Sequence, residues 1–479
     1  MLKANYANIN FFSSAYFKYL GKMKSFIMTL SFLSVITALS CKKSDTDGNA
    51  AVALKTDSLY TENIFPFQSQ HCHASTIVEL PDHDLMVAWF QGSGERAAED
   101  VVIKGARYNH KTGKWSEPFI MADTEGFPDI NPVLFIDGLS RLWLVWYTVM
   151  AYQWESSLIK YRISSSYMQK EGPPVWWWQD VLHIKADGFA PEGINSMDPF
   201  VKTLERKYAA YYDYLHSAGY ISDDGNGLIS EEEWKGALQR YMDIAKGTNF
   251  MADGADINEK GERIRTRLGY PLMRRIGWQT RNKPLFVNNR ILLPLYSDGF
   301  DFSLIAISSD NGASWSFSEP LVGAGSIQPA LALRRNGEIT ALMRDNGPHP
   351  KRLMQSFSAD TGKTWSTVTD TEIPNPGSAA DMVVLKSGNW VLVSNDLESG
   401  RHRLAVKLST DEGKTWPYTR NIVDGSAGSQ TRAHYPAIIQ DSKGYIHVTY
   451  TNQIPADEGK SNVKNIAHAV FTEKWLMKE

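Results

Sequence analysis

Several groups able to move protons or hold anions stand out in the sequence. Carboxylates cluster in Gly94-Glu95-Arg96-Ala97-Ala98-Glu99-Asp100, two histidines flank a cysteine in His71-Cys72-His73, arginines stand at Arg281, Arg344, Arg401 and Arg403, and Tyr435 follows His434. A carboxylic acid that protonates a leaving oxygen, with a nucleophile or base on the other side of the ring, is the pairing that glycosidic bond cleavage requires. Arginine matches a planar carboxylate in bidentate fashion. Histidine can bind an anion, bond a hydroxyl or exchange a proton near neutral pH, although a lone histidine at a strand start is more often structural. His71 and His73 could also ligate a metal, but no third ligand stands at a telling spacing.

The elements that would bring these residues together are short strands. A two-strand pattern of apolar alternation, turn and second alternation recurs six times, over residues 75–89, 131–147, 282–296, 328–344, 380–395 and 435–450. Outside the gap from 131 to 282, the starts fall at the spacing of a four-stranded propeller blade. The pattern predicts an all-β, six-bladed β-propeller over residues 58–479 with an insertion between blades two and three. In such a blade the first strand begins at the face to which the second returns, so residues at those points crowd together. That topology gathers His71, His73, Arg281, Gln328, Asp381, His434 and Tyr435 from strand starts. From the returning ends it gathers Glu95, Arg96, Asp100, Asp298, Arg344, His349, Asp396, Arg401 and Arg403.

A second repeat keeps register with the first: Ser308-Ser-Asp310-Asn-Gly312-Ala-Ser-Trp315, Ser358-Ala-Asp360-Thr-Gly362-Lys-Thr-Trp365 and Ser409-Thr-Asp411-Glu-Gly413-Lys-Thr-Trp416, with Thr112-Gly113-Lys114-Trp115 as a decayed copy. Asp and Gly at those places suit a tight turn in which the carboxylate bonds nearby amides and glycine takes positive φ, so these aspartates are read as structural. They belong on the face opposite the charged ring.

These repeats resemble the Asp-boxes of the sialidase-like propellers, and the resemblance spans roughly residues 70–475. It implies a glycan-processing enzyme, and it implies roles for particular residues. Asp100 is placed like the family's acid/base, with Glu95 second, and Tyr435 like its tyrosine nucleophile. Arg344 and either Arg401 or Arg403 match two arginines of a clamp on the substrate carboxylate. Gln328 stands where the family has a glutamate, and His71-Cys72-His73 where it has the first arginine. His71, His73, Gln328, Arg96, Arg281 and Asp381 are then substrate-binding candidates. The expected activity is an exo-acting glycoside hydrolase that removes an acidic terminal sugar. A polysaccharide lyase acting on uronates and a non-catalytic glycan-binding propeller are the alternatives. Trp89, Trp146 and Trp278 are candidates to stack on sugar, with core packing favoured for the first two.

The insertion, residues 187–280, should sit on the charged face as a lid or wall, with helical composition at 209–217, 231–245 and 259–268. Within it, residues 222–233 fit an EF-hand loop, with Ser222, Asp224, Asn226, Leu228 and Glu233 at ligand places and Gly227 at the turn. An Asp/Gly turn leading into a helix with an acidic first turn fits equally. Any calcium there would be structural, and no cofactor is otherwise required.

Of 479 residues, 43% are hydrophobic and 22% charged, and the net charge of −3 gives no reason to expect nucleic acid or an anionic membrane surface as partner. Fifteen Trp and 21 Tyr suit sheet packing and sugar-facing clefts, in that order. Lys22 and Lys24 precede an apolar run over 26–39 that ends in Ala38-Leu39-Ser40-Cys41. This resembles a lipoprotein export signal over residues 1–41, with Met23 as a candidate start, Cys41 as the lipidation site and 42–57 as a tether. The run is short for a membrane span. The expectation is an exported protein that meets the membrane only through that lipid, with a glycan as substrate.

Overall fold

The structure is a computed structural model that describes residues 58–186, 198–222, 227–248, 251–257, 263–269, 271–455 and 462–478. Cys41, the export segment, the tether, and Asp224 and Asn226 lie outside them. Six sheets stand in propeller order, each built from consecutive antiparallel strands. The innermost strands are His71–Glu79, Asp129–Ile136, Trp278–Thr280 with Leu285–Val287, Ser326–Leu333, Asp381–Val384 and Arg432–Gln440. Each strand pair read from the sequence is the inner half of one blade. The ring closes because Tyr60–Asn63 forms the outer strand of blade six, pairing Tyr60 with Val470 and Asn63 with Ala467. Tyr60–Asn63 thus covers the edge of Val463–Phe471 and itself becomes the outer edge of blade six.

The Asp-box turns hold as composition suggests. Gly312 N donates to Ser308 Oγ at 2.8 Å, and Asp310 Oδ1 accepts from Ser314 N at 2.9 Å. Gly312 has φ of 86°, and a Cβ on it would come within 2.4 Å of the Trp143 ring in blade two. Glycine is required there both for the backbone conformation and for the close approach of neighbouring blades. The decayed copy in blade one has Lys111 where the aspartate would stand, and Asn109, at the place of Ser308, accepts from Lys111 N and Thr112 N through Oδ1.

Four of the six inner strands carry a register shift near their start, between His73 and Thr76, Ile130 and Val133, Ile327 and Ala330, and His434 and Ala437. Ala74, Asn131, Gln328 and Tyr435 take φ values of 56°, 46°, 56° and 55° at these places. A bulge inserts an unpaired residue and re-aims its side chain, and a left-handed non-glycine costs about 1–3 kcal/mol that the surrounding structure must supply. Three of the four precede a proline, which has no N–H to give to the ladder. Asn131, Gln328 and Tyr435 thus carry this strain to the point where the first strands converge.

The insertion contributes two helices, α1 (Pro199–Ser217) and α2 (Glu231–Lys246), and a hairpin of Met251–Ile257 with Arg263–Gly269. The hairpin corrects the helix expected over 259–268: arginines alternate with Ile264, Thr266 and Leu268, a period of two rather than 3.6. Asp198 caps α1 by accepting from Val201 N and also pairs with buried Arg274 at 3.1 Å, so the two ends of the insertion are tied together. From there α1 runs along the outer flank of blades three and four. Lys207 bonds the Trp365 carbonyl and Glu319, and Tyr214 accepts from Asp370 N. The insertion is thus a flank as well as a wall. Glu233 is engaged in a capping box with Ser230, accepting from its backbone N at 2.9 Å, so the acidic turn at least serves the helix.

Candidate active site

The bulged strand starts meet in a cavity of about 440 Å³ lined by His73, Glu95, Asn131, Trp154, Tyr296, Asp298, Asp301, Gln328, Arg344, Asn346, Arg401 and Tyr435, among others. Tyr435 is its centre. Its hydroxyl accepts from Arg344 Nη1 at 2.7 Å and from Gln328 Nε2 at 3.3 Å. Its ring lies 4.1 Å from that of His73, with the Arg281 and Arg401 guanidiniums 5.2 and 5.6 Å from its centroid. Three cations therefore surround one phenol.

Each arginine is held differently. Arg344 Nη2 donates to Asn346 Oδ1 at 3.0 Å, while its Nε and the Oε1 of Gln328 are buried with no hydrogen-bond partner among the described residues. That leaves polar capacity for a ligand. Arg401 donates to the Gly377 carbonyl at 2.8 Å and lies 3.1 Å from His434 Nδ1. Burial and the Arg401 charge push His434 well below the usual histidine range, so it is neutral and accepts. Burial likewise lowers His73, helped by His434, and its Nδ1 lies 2.8 Å from Thr451 Oγ1. His73 enters the cavity as a neutral ring.

The carboxylates divide sharply. Burial pushes Asp298 up to about 6, with Asp301 and Glu155 adding to the rise and Gln279 and Arg344 opposing it. Burial also raises Asp301, which accepts from Asn346 Nδ2 at 3.0 Å. Glu95 lies 2.9 Å from His71 Nε2, and although burial pulls it upward, His71, Lys464 and Arg401 outweigh that and hold it low. His71 is held from its other side by Lys464 at 2.7 Å. Asp298 is therefore the cavity carboxyl best poised to carry a proton near neutral pH.

The structure assembles Tyr435, Glu95, Arg344, Arg401, His73 and Gln328 as the strand topology required, with His71 behind Glu95. It does not bring the others in. Asp100 is exposed outside the cavity, accepting from Ser93 N and Ser93 Oγ, and these bonds hold it below the usual carboxylate range. Arg403 points outward to Asp424 at 3.0 Å. Buried Asp381 is taken by Lys283 at 2.7 Å and by Ile438 N. Arg281 is buried beneath Tyr435, donating to the Pro436 and Ser75 carbonyls. Arg96 lies over the Trp154 ring at 5.3 Å. Trp89, Trp146 and Trp278 are all fully buried, which settles Trp278 as core too. Asn131, Tyr296, Asp301 and Asn346 line the cavity without having been singled out, and Asp298 had been gathered only as one strand end among many. The signal for Asn131 was present: it precedes proline at the place that Gln328 and Tyr435 hold in their own blades.

The family model of the BNR repeat-like domain matches residues 83–200 and 276–448. The chain belongs to this family. No curated protein sequence matches it. Among solved structures, a Dyadobacter fermentans protein of unknown function aligns with a TM-score of 0.55 at 12% identity, over 86% of this chain and 98% of that one. The intramolecular trans-sialidase of Ruminococcus gnavus, solved with oseltamivir carboxylate, aligns at 0.52 and 14% over 85% and 96%. A leech intramolecular trans-sialidase, solved with 2,7-anhydro-Neu5Ac, aligns at 0.54 and 15% over 87% and 71%. At such identities the likeness is one of fold. This BNR propeller thus shares the architecture of sialidases, while its chemistry rests on its own cavity.

Proposed function

We propose that this BNR propeller is an exo-acting glycoside hydrolase that removes an acidic terminal sugar from a glycan, and that it is exported and lipid-anchored through Cys41. The observation that carries the enzymatic reading is the Tyr435 hydroxyl, held at 2.7 Å by Arg344 in a cavity that also contains Arg401 and a carboxyl raised to about 6. Arg344 and Arg401 would clamp the sugar carboxylate. Asp298 takes over from Asp100 as the proposed general acid. Its proton passes to the glycosidic oxygen as the bond to the anomeric carbon breaks, and the Tyr435 oxygen stabilises the positive charge that develops on that carbon. Water then adds there and returns its proton to the Asp298 carboxylate.

A uronate lyase is the second reading, and Gln328 favours it. Its amide donates to the phenol, where a carboxylate would have accepted the phenol's proton, and His73 lies against the same ring. The test is incubation with sialylated, uronate-bearing and sulfated glycans, following reducing ends and ultraviolet absorbance together. Hydrolysis predicts new reducing ends from an acidic-sugar glycoside with no rise in absorbance. An absorbing unsaturated product would establish the lyase instead, and binding without release from any glycan would leave a recognition propeller.

A further inference from the structure

A second cavity, of about 350 Å³, adjoins the first and is built largely by the insertion. Tyr208 and Tyr211 of α1 and Trp234, Ala237, Arg240 and Tyr241 of α2 form its walls on one side. Blades three and four complete it through Asp301, Gly323, Ala324 and Asn346. Asp301 and Asn346 also line the central cavity. A bonded chain runs along this shared wall: Arg344 to Asn346 at 3.0 Å, Asn346 to Asp301 at 3.0 Å, Tyr241 to Asp301 at 3.4 Å and Arg240 to Tyr241 at 2.8 Å.

The volume suits a small ligand, and aromatic walls with a few convergent polar groups suit the apolar face and hydroxyl rim of a neutral sugar. Position along the substrate follows from the acid. Whichever group protonates the leaving oxygen stands on the leaving-group side of the broken bond, and Asp298 is three residues from Asp301, where the second cavity begins. We propose that this insertion-built cavity binds the neutral sugar residue from which the acidic sugar is removed, so the protein acts on oligosaccharide rather than on simple glycosides. The direction of the leaving group rests on the proposed hydrolase reading; the existence of a neutral-sugar site does not.

Two variants outside the catalytic groups separate these points. Ala237→Trp fills the cavity from α2, and Trp234→Ala removes an aromatic wall. Calorimetric titration of the full chain with lactose and with cellobiose should show saturable binding of at least one, weakened ~10-fold or more by each variant that retains the wild-type melting profile, as for loss of ~1.4 kcal/mol. With a cleaved substrate in hand, Ala237→Trp should raise KM for the oligosaccharide by a similar factor and leave kcat/KM for the glycosyl fluoride of the same acidic sugar unchanged. Absence of binding to the wild type, or binding indifferent to both variants, overturns the site. Equal effects on oligosaccharide and fluoride overturn its placement on the leaving-group side. If no glycan is cleaved, the hydrolase reading fails while the lactose and cellobiose titrations still decide the cavity.

Discussion

The two ends of the blades use the same residue type in opposite ways. At the Asp-box turns, aspartates are surrounded by short donors: Asp310 and Asp411 are held down to about 2, the first chiefly by Ser314, the second by Thr415 and Ser409 against the pull of burial. At the cavity, Asp298 is half-buried beside other carboxylates, and its desolvation raises it to about 6. Both ends carry left-handed non-glycines, Asn311, Thr361 and Glu412 in the turns and Asn131, Gln328 and Tyr435 at the cavity, so backbone conformation does not separate them. Aspartates surrounded by donors hold the fold, and carboxylates with unmatched burial gather where a proton can be moved. Repetition alone therefore does not mark a working residue.

The comparison breaks most visibly at Tyr435. Tyr435→Phe is expected to lower kcat by about 10²–10⁴ with an unchanged melting temperature, and steady-state kinetics beside a thermal melt would show both. Asp298→Asn should cost about 10²-fold or more and remove the limb on which activity falls as pH rises through about 6, whereas Asp100→Asn should leave the profile intact. A pH–rate series on the two variants separates the cavity carboxyl from the exposed one.

Asp360→Ala should do the reverse. Its carboxylate accepts from Thr364 N and Oγ1, Lys363 N and Ser358 Oγ, so its loss is expected to cost about 1–3 kcal/mol of stability by urea unfolding and leave the KM of the folded protein unchanged. The sign with pH is fixed too. For Asp310 and Asp411 the folded value lies below the unfolded one, so their contribution is complete above about pH 4 and disappears as pH falls through about 2. The smallest effect belongs to Arg403→Ala, within about 0.5 kcal/mol in the same unfolding experiment and without kinetic consequence, because its pairing with Asp424 is at the surface.

The sequence disclosed blade number, blade order and the place of the insertion because each depends on a period: two along a strand, about 50 residues between Asp-boxes. The hairpin at 263–269 was missed because charged residues of high helix propensity disguised an alternating pattern. Within the ring of charged strand ends, topology identified the right neighbourhood, but residue type could not separate Asp298 from Asp381 or Asp100. That difference arises from partners distant in sequence: Lys283 takes Asp381, Ser93 takes Asp100, and Asp298 is left among other carboxylates. Arg281 and Arg401 differ in the same way. One spends its guanidinium on main-chain carbonyls beneath Tyr435, and the other opens into the cavity.

Carbon-13 NMR titration of the aspartate carboxyls, comparing the wild type with Asp298→Asn, tests this division of labour without a substrate. The expected result is two aspartate carboxyls titrating near pH 6, those of Asp298 and Asp345, of which only the first vanishes in the variant, while the Asp310 and Asp411 carboxyls stay ionised to near pH 2. If Asp298 titrates with ordinary aspartates near pH 4, its place as the acid of this cavity is contradicted.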